Sequence, residues 1–255
     1  MADTQSKIAL ITGASRGLGR NTALAAAARG IDVIFTYRSN RAEADKVVAD
    51  IKALGRTALA FQLDTGDTAS FPAFAEKIAG ALRETFGRTN FDYLVNNAGH
   101  SAPGTIATLS EEDFDGLYRV HLKGVVFLTQ KLLPLIADGG RIVNLSSGLA
   151  RFSLPGYSAY AAMKGAIEVF TRYLAKELGP RGIAANVVAP GAIETDFGGG
   201  GVRDNAELNK FVASVTAMGR AGVPDDIGPM IATLLSDENR WLTGQRIEVS
   251  GGMFL

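Results

Sequence analysis

The sequence predicts an α/β fold in which a doubly wound, seven-stranded parallel sheet is flanked by helices on both faces. Three observations predict it. Seven short apolar runs alternate with longer segments of helical period along the 255 residues. Several of the runs are apolar at consecutive positions, the pattern of strands covered on both sides. A glycine-rich turn follows the first run and opens the first helical segment, where sheets of this kind bind ligands.

Taken in order, the first strand is placed at 7–12, and the turn Gly13-Ala-Ser15-Arg16-Gly17-Leu18-Gly19 leads into a helix over 17–29. The β-branched run 32–37 is the second strand, followed by a helix at 41–54; 58–63 and 68–84 repeat the alternation. A fourth strand at 91–96 ends in Asn96-Asn97-Ala98-Gly99, and a helix is expected over 111–137. The fifth strand, 141–146, precedes a helix over 158–179, and the sixth, 183–188, ends in a Pro190-Gly191 turn. Four consecutive glycines at 198–201 lower the cost of local motion, so 192–218 is expected to be a flexible substrate lid. A helix at 225–236 and a strand at 245–249 complete a single domain spanning 1–255.

Composition excludes several classes. Lysine plus arginine and aspartate plus glutamate are 26 each, so nothing favours nucleic acid or an anionic membrane. The absence of cysteine removes disulfides and thiolate chemistry, and two histidines, His100 and His121, are too few for a histidine-built centre, so no metal is expected. The polar start and the lack of a long apolar stretch imply a cytoplasmic protein.

Tyr160 and Lys164 stand at i and i+4 of the fifth expected helix and share a face, with Ser147 thirteen residues before the tyrosine. A phenol with pKa near ~10 needs a neighbour that favours phenolate. A lysine charge at ~4 Å in an effective dielectric of ~20 could contribute up to about 4 kcal/mol. Ser147 would hydrogen-bond a substrate oxygen that gains charge as hydride arrives at carbon.

These motifs resemble, in order and spacing, the compact, single-domain short-chain dehydrogenase/reductase family, and the resemblance runs from Lys7 to Gly252. It implies a Rossmann-type fold with Ser147, Tyr160 and Lys164 as catalytic residues, Lys164 also bonding the nicotinamide ribose. It places Asp64 at the adenine, Asn97 and Gly99 at the adenosine ribose, and Ile193 and Thr195 at the nicotinamide end. His121 stands where the family usually carries an asparagine that bends its helix and holds a water in the proton path. Imidazole both donates and accepts, so a relay through His121 is one reading and a packing role is the other.

The glycine turn departs from Gly-x-Gly-x-x-Gly, since Thr22 stands three after Gly19. Where NAD-specific relatives place a carboxylate, this chain has Tyr37, followed by Arg38 and Ser39, and Arg16 lies in the turn. Two guanidinium groups suit a 2′-phosphate, so NADP(H) is expected. The function so implied is NADPH-dependent hydride transfer to a small carbonyl substrate, or from a secondary alcohol, with Tyr160 as general acid/base. A dinucleotide-binding regulatory or scaffolding protein is the alternative. A nucleotide-sugar epimerase would need more residues after Gly191. The chain also resembles 3-oxoacyl-carrier-protein reductases; Arg181 would fit a basic patch for an acidic carrier, whereas Ala137-Asp138 would not. By the same analogy the chain forms a homotetramer, or a homodimer, through the helices expected at 111–137 and 158–179 and the apolar tail.

Overall fold

The structure is a computed structural model that describes residues 6–255; the polar start of the chain, 1–5, lies outside the described residues. Its strands and helices are, in order, β1 (Ile8–Ile11), α1 (Gly17–Ala28), β2 (Asp32–Tyr37), α2 (Arg41–Ala53), β3 (Ala58–Gln62), α3 (Phe71–Phe86) and β4 (Phe91–Asn96). There follow α4 (Glu111–Tyr118), α5 (Gly124–Leu132), β5 (Ile136–Leu145), α6 (Ser158–Leu178) and β6 (Ala184–Pro190). The chain ends with α7 (Gly201–Asp204), α8 (Ala206–Ser214), α9 (Gly228–Leu234) and β7 (Arg246–Val249). All seven strands are parallel, in the order β3-β2-β1-β4-β5-β6-β7.

Alternate residues of one strand feed two cores, which is why the strand runs are apolar at successive positions. Ala9 and Ile11 of β1 face α1, α2 and α9, meeting Ala23, Val47, Ile51 and Ile231. Ile8 and Leu10 face α3, α5 and α6, meeting Phe74, Ile78, Leu132 and Leu174. Each large apolar side chain buried this way contributes about 1.5–3 kcal/mol. Between β4 and β5 the core is polar, and its side-chain amides donate across the strands while Asn96 Oδ1 stays unpaired. Asn96 donates to Thr129 Oγ1 (3.0 Å) on α5 and to Asn144 Oδ1 (2.8 Å), and Asn144 donates to Thr171 Oγ1 (2.9 Å) on α6.

The single helix expected over 111–137 is not continuous. α4 gives way to a π-helical segment, Arg119–Lys123, before α5, and a 3₁₀ turn, Leu133–Leu135, ends it at Pro134. β5 starts at Ile136 rather than 141, because Ile136 already pairs with Phe91 before the ladder jumps to Tyr93 and Arg141. Residues 192–218 carry α7 and α8 and are not a loop throughout. Gly198, Gly199 and Gly200 take positive φ (63°, 75° and 80°), so three of the four glycines serve a left-handed turn. No helix among the described residues is long and apolar enough to cross a membrane, and no cluster of metal-ligating side chains occurs among them.

Candidate active site

Strand order reverses between β1 and β4, and the loops leaving the carboxyl ends of these strands form a crevice. On the β1 side, Gly13 (φ 66°) and Gly17 (φ 55°) are left-handed. A Cβ on Gly19 would run into the Gly13 carbonyl and lie 2.5 Å from Asn97 Nδ2 and 2.8 Å from Ala14 Cα. The turn is therefore side-chain-free where it is tightest. Arg16 at the N-cap makes no side-chain capping bond, and no acidic residue stands in the first turn of α1. The first amides of this helix thus face the crevice without a carboxylate competitor, which suits a pyrophosphate. Ser15 is half-buried in the turn, and Leu18 packs on the adjoining core.

Asn97 fastens β4 to this turn. Its Nδ2 donates to the carbonyls of Thr12 (2.8 Å) and Gly13 (3.1 Å), while Thr12 Oγ1 accepts from the amides of Asn97 and Ala98, both at 3.0 Å. Arg38 and Ser39 extend beyond β2 and are exposed; the Arg38 guanidinium is 3.6 Å from Asp64, which follows β3. At the start of the lid, Ile193 bridges Gly222, and Thr195 is buried beside the glycine turn, 3.9 Å from where a Gly17 Cβ would stand.

Ser147 lies just past β5, and Tyr160 and Lys164 lie one turn apart on α6, both buried. Ser147 hydrogen-bonds the Tyr160 phenol and accepts from the Leu149 amide (3.2 Å). The adjacent Ser146 donates instead to Glu168 (2.7 Å), which also pairs with Arg246 (2.7 Å), so only Ser147 serves the crevice. Against the expectation that Lys164 eases ionisation of the phenol stands an opposing effect of burial. Burial pushes Tyr160 well above its ordinary value, against the pull of the Ser147 bond. Lys164 Nζ donates to the Leu145 carbonyl (2.7 Å), lies 5.4 Å from the Tyr160 ring centroid, and is itself lowered to about 7 by burial. Burial thus favours the neutral form of both groups.

The π-helical segment turns His121 inward until it is 1% exposed, its ring edge-on to Tyr160 with centroids 5.1 Å apart. The His100 backbone offers its Nε2 both a donor, the amide at 3.2 Å, and an acceptor, the carbonyl at 2.7 Å. Either tautomer is satisfied at Nε2, while buried Nδ1 has no protein partner and is free to accept or donate. Burial, then Lys164, hold His121 well below its usual range, so it is neutral at pH 7. Gly99 makes room, since a Cβ there would come within 2.6 Å of the imidazole.

Two neighbours of the site were not assigned to it from sequence. His100, which by its place after the Asn96–Gly99 turn could line the pocket or lie on the loop surface, is half-buried with its ring 5.4 Å from that of His121. Phe197, two residues after Thr195, stands 5.7 Å from the Tyr160 ring. An aromatic residue heading a glycine run was the available signal for Phe197; only the π-helical segment brings the two histidines together. Arg181 precedes β6 at the amino edge of the sheet and is held by Asp138 (2.8 Å) and by the Leu133 and Ile136 carbonyls (3.1 and 2.5 Å), so it is no part of the mouth.

A family model described as enoyl-(acyl carrier protein) reductase matches residues 13–254. The 3-oxoacyl-[acyl-carrier-protein] reductase of Staphylococcus aureus (strain Mu50) is 36% identical over 98% of this chain and 99% of its own length. Among solved structures, the promiscuous reductase LugOII, described as catalysing keto-reduction at C1 in lugdunomycin biosynthesis, superposes with a TM-score of 0.93 at 38% identity, covering 98% of this chain and 99% of its own. The angucycline C-6 ketoreductase LanV with bound NADP gives 0.92 at 33% identity, covering 98% and 96%.

Proposed function

The chain belongs to the short-chain dehydrogenase/reductase family, and from that premise we propose that the crevice above is the site of its NADPH-dependent interconversion of a carbonyl and a secondary alcohol. The observation that carries this reading is the meeting of Ser147, Tyr160 and Lys164 beside a side-chain-free turn at the reversal of strand order. NADPH supplies the hydride. Gly13, Ser15, Arg16, Gly17, Leu18 and Gly19 hold the pyrophosphate, Arg38 and Ser39 the 2′-phosphate, and Asp64, Asn97 and Gly99 the adenosine; Ile193 and Thr195 border the nicotinamide end. Lys164 binds the nicotinamide ribose, Ser147 fixes the substrate oxygen, and Tyr160 protonates it.

NADPH oxidation measured across ketones, quinones and acyl thioesters tests the reading. Turnover is expected with at least one ketone; NADPH binding without turnover on any of them would favour a regulatory dinucleotide-binding protein. Arg38→Asp should weaken NADPH binding roughly ten- to hundredfold by removing a charge-assisted partner and adding repulsion, with a much smaller change for NADH. Equal loss for both cofactors in fluorescence titrations would refute the 2′-phosphate assignment.

His121 belongs to the proton path in this reading, through its free Nδ1. His121→Phe keeps an aromatic ring, slightly larger, and removes both nitrogens, so turnover should fall about ten- to hundredfold while the NADPH dissociation constant stays within about threefold. Unaffected turnover would reduce His121 to packing. Phe114, Tyr118, Phe127, Val169 and Tyr173 lie exposed on α4, α5 and α6, and Trp241 is exposed as well. Their exposure supports a homotetramer or homodimer in which other copies would cover them, for which light scattering at micromolar concentration is the check; a monomer would exclude it.

A further inference from the structure

We propose that the substrate is a neutral, flat, fused-ring aromatic ketone rather than a carrier-bound or otherwise anionic one; this rests on the reductase reading above. Phe197 covers the outer side of Tyr160, tilted 54° to it at 5.7 Å, and is still 44% exposed. Its amide donates to Thr195 Oγ1 (3.2 Å), which ties it to a buried residue at the start of the lid. Its ring presents an apolar face beside the proton donor, suited to offset stacking with centroids about 4.5–7 Å apart. Ala102, Leu109 and Leu149, packed on the buried Leu117 and Met163, continue the apolar surface around Tyr160. Phe254 packs on Phe152 (4.7 Å), which follows the Ser147 turn, and on Phe211 (6.5 Å) of α8.

Charge points the same way. Residues 192–218 carry two cations against four carboxylates. Arg203 is paired with Asp196 (2.7 Å) and Asp204 (2.8 Å), and Lys210 with Glu207 (3.0 Å). Beside the site, α4 begins Glu111-Glu112-Asp113, and Arg181 lies at the opposite edge of the sheet. A phosphopantetheine phosphate or an acidic carrier surface would meet paired cations and an excess of carboxylates along these segments.

The chemistry balances as for any ketone: carbon gains hydride, oxygen gains the Tyr160 proton, and NADPH is oxidised. The test compares kcat/KM for 1-tetralone, cyclohexanone and acetoacetyl-N-acetylcysteamine, in the wild type and in Phe197→Ala and Phe197→Leu. The expected order places the tetralone at least tenfold above both others. Phe197→Ala should shrink the tetralone-to-cyclohexanone ratio about five- to tenfold, chiefly through KM for the tetralone, and Phe197→Leu should shrink it less. A preference for the thioester, or equal losses on both ketones, would overturn the substrate class and leave the reductase standing. No turnover on all three despite NADPH binding would overturn both.

Discussion

Tyr160→Phe will lose NADPH oxidation by roughly 10²–10⁴-fold while retaining NADPH binding, because the substitution removes a single oxygen and leaves the ring contacts in place. The phenol is 8% exposed, and its hydroxyl has Ser147 as partner. Phenylalanine fills the same space against His121 and Phe197, so thermal stability should change little. Loss of binding together with turnover would point to a collapsed site rather than a missing proton donor, and undiminished turnover would exclude Tyr160 as the acid. Burial raises this phenol, so in the free protein it is protonated across the neutral range, the form that carbonyl reduction requires.

Lys164 adds a pH signature. Its ammonium falls from an ordinary 10.5 to about 7 because burial penalises the charged form. Below about pH 7 folded and unfolded chains both hold the proton, and the full penalty bears on the folded state. Between about 7 and 10.5 the unfolded chain binds a proton that the folded one has released, so this residue makes stability rise with pH through that window. Urea denaturation of the cofactor-free protein at several pH values should show that rise, and Lys164→Met should flatten it. An unchanged slope in the variant would mean that the buried amine is not the source.

Gly19→Ala will be the most damaging single-methyl change within the glycine turn. The added carbon meets the Gly13 carbonyl, Ala14 Cα and the Asn97 amide, two of them backbone groups of the turn and the third a side chain fixed by two carbonyls. No flexible end can yield, so the cost should reach the upper range for overpacking, about 3 kcal/mol. For a chain of this size that lowers Tm by roughly 6–12 °C. The same displacement moves the amides that face the pyrophosphate, so NADPH affinity should fall by more than about a hundredfold. Calorimetry and fluorescence titration check both; a Tm within 2 °C of wild type would show that the turn can be remodelled.

The elements with the clearest local signal were legible. β2 and β4 match the runs 32–37 and 91–96, because consecutive β-branched and apolar residues between two helical segments have little alternative to a covered parallel strand. The segment 111–137 misled, since its helical period continues through 119–123 and nothing local marks the π-helical turn or the start of β5 at Ile136. The four glycines at 198–201 advertised freedom but not the α7 and α8 turns that follow them.

Spacing along the chain therefore determined the strand and helix order, the glycine turn, and the choice of Ser147, Tyr160 and Lys164 as a set, because each depends on short-range periodicity or on residues a few positions apart. Tertiary structure alone decided the state of those groups. That Lys164 is drawn to the Leu145 carbonyl, that Tyr160 is raised, that His121 is neutral with a free Nδ1 and that Phe197 covers the phenol all follow from burial and from partners distant in sequence. Desolvation and packing depend on which segments the fold brings together, and no local window of sequence carries that information.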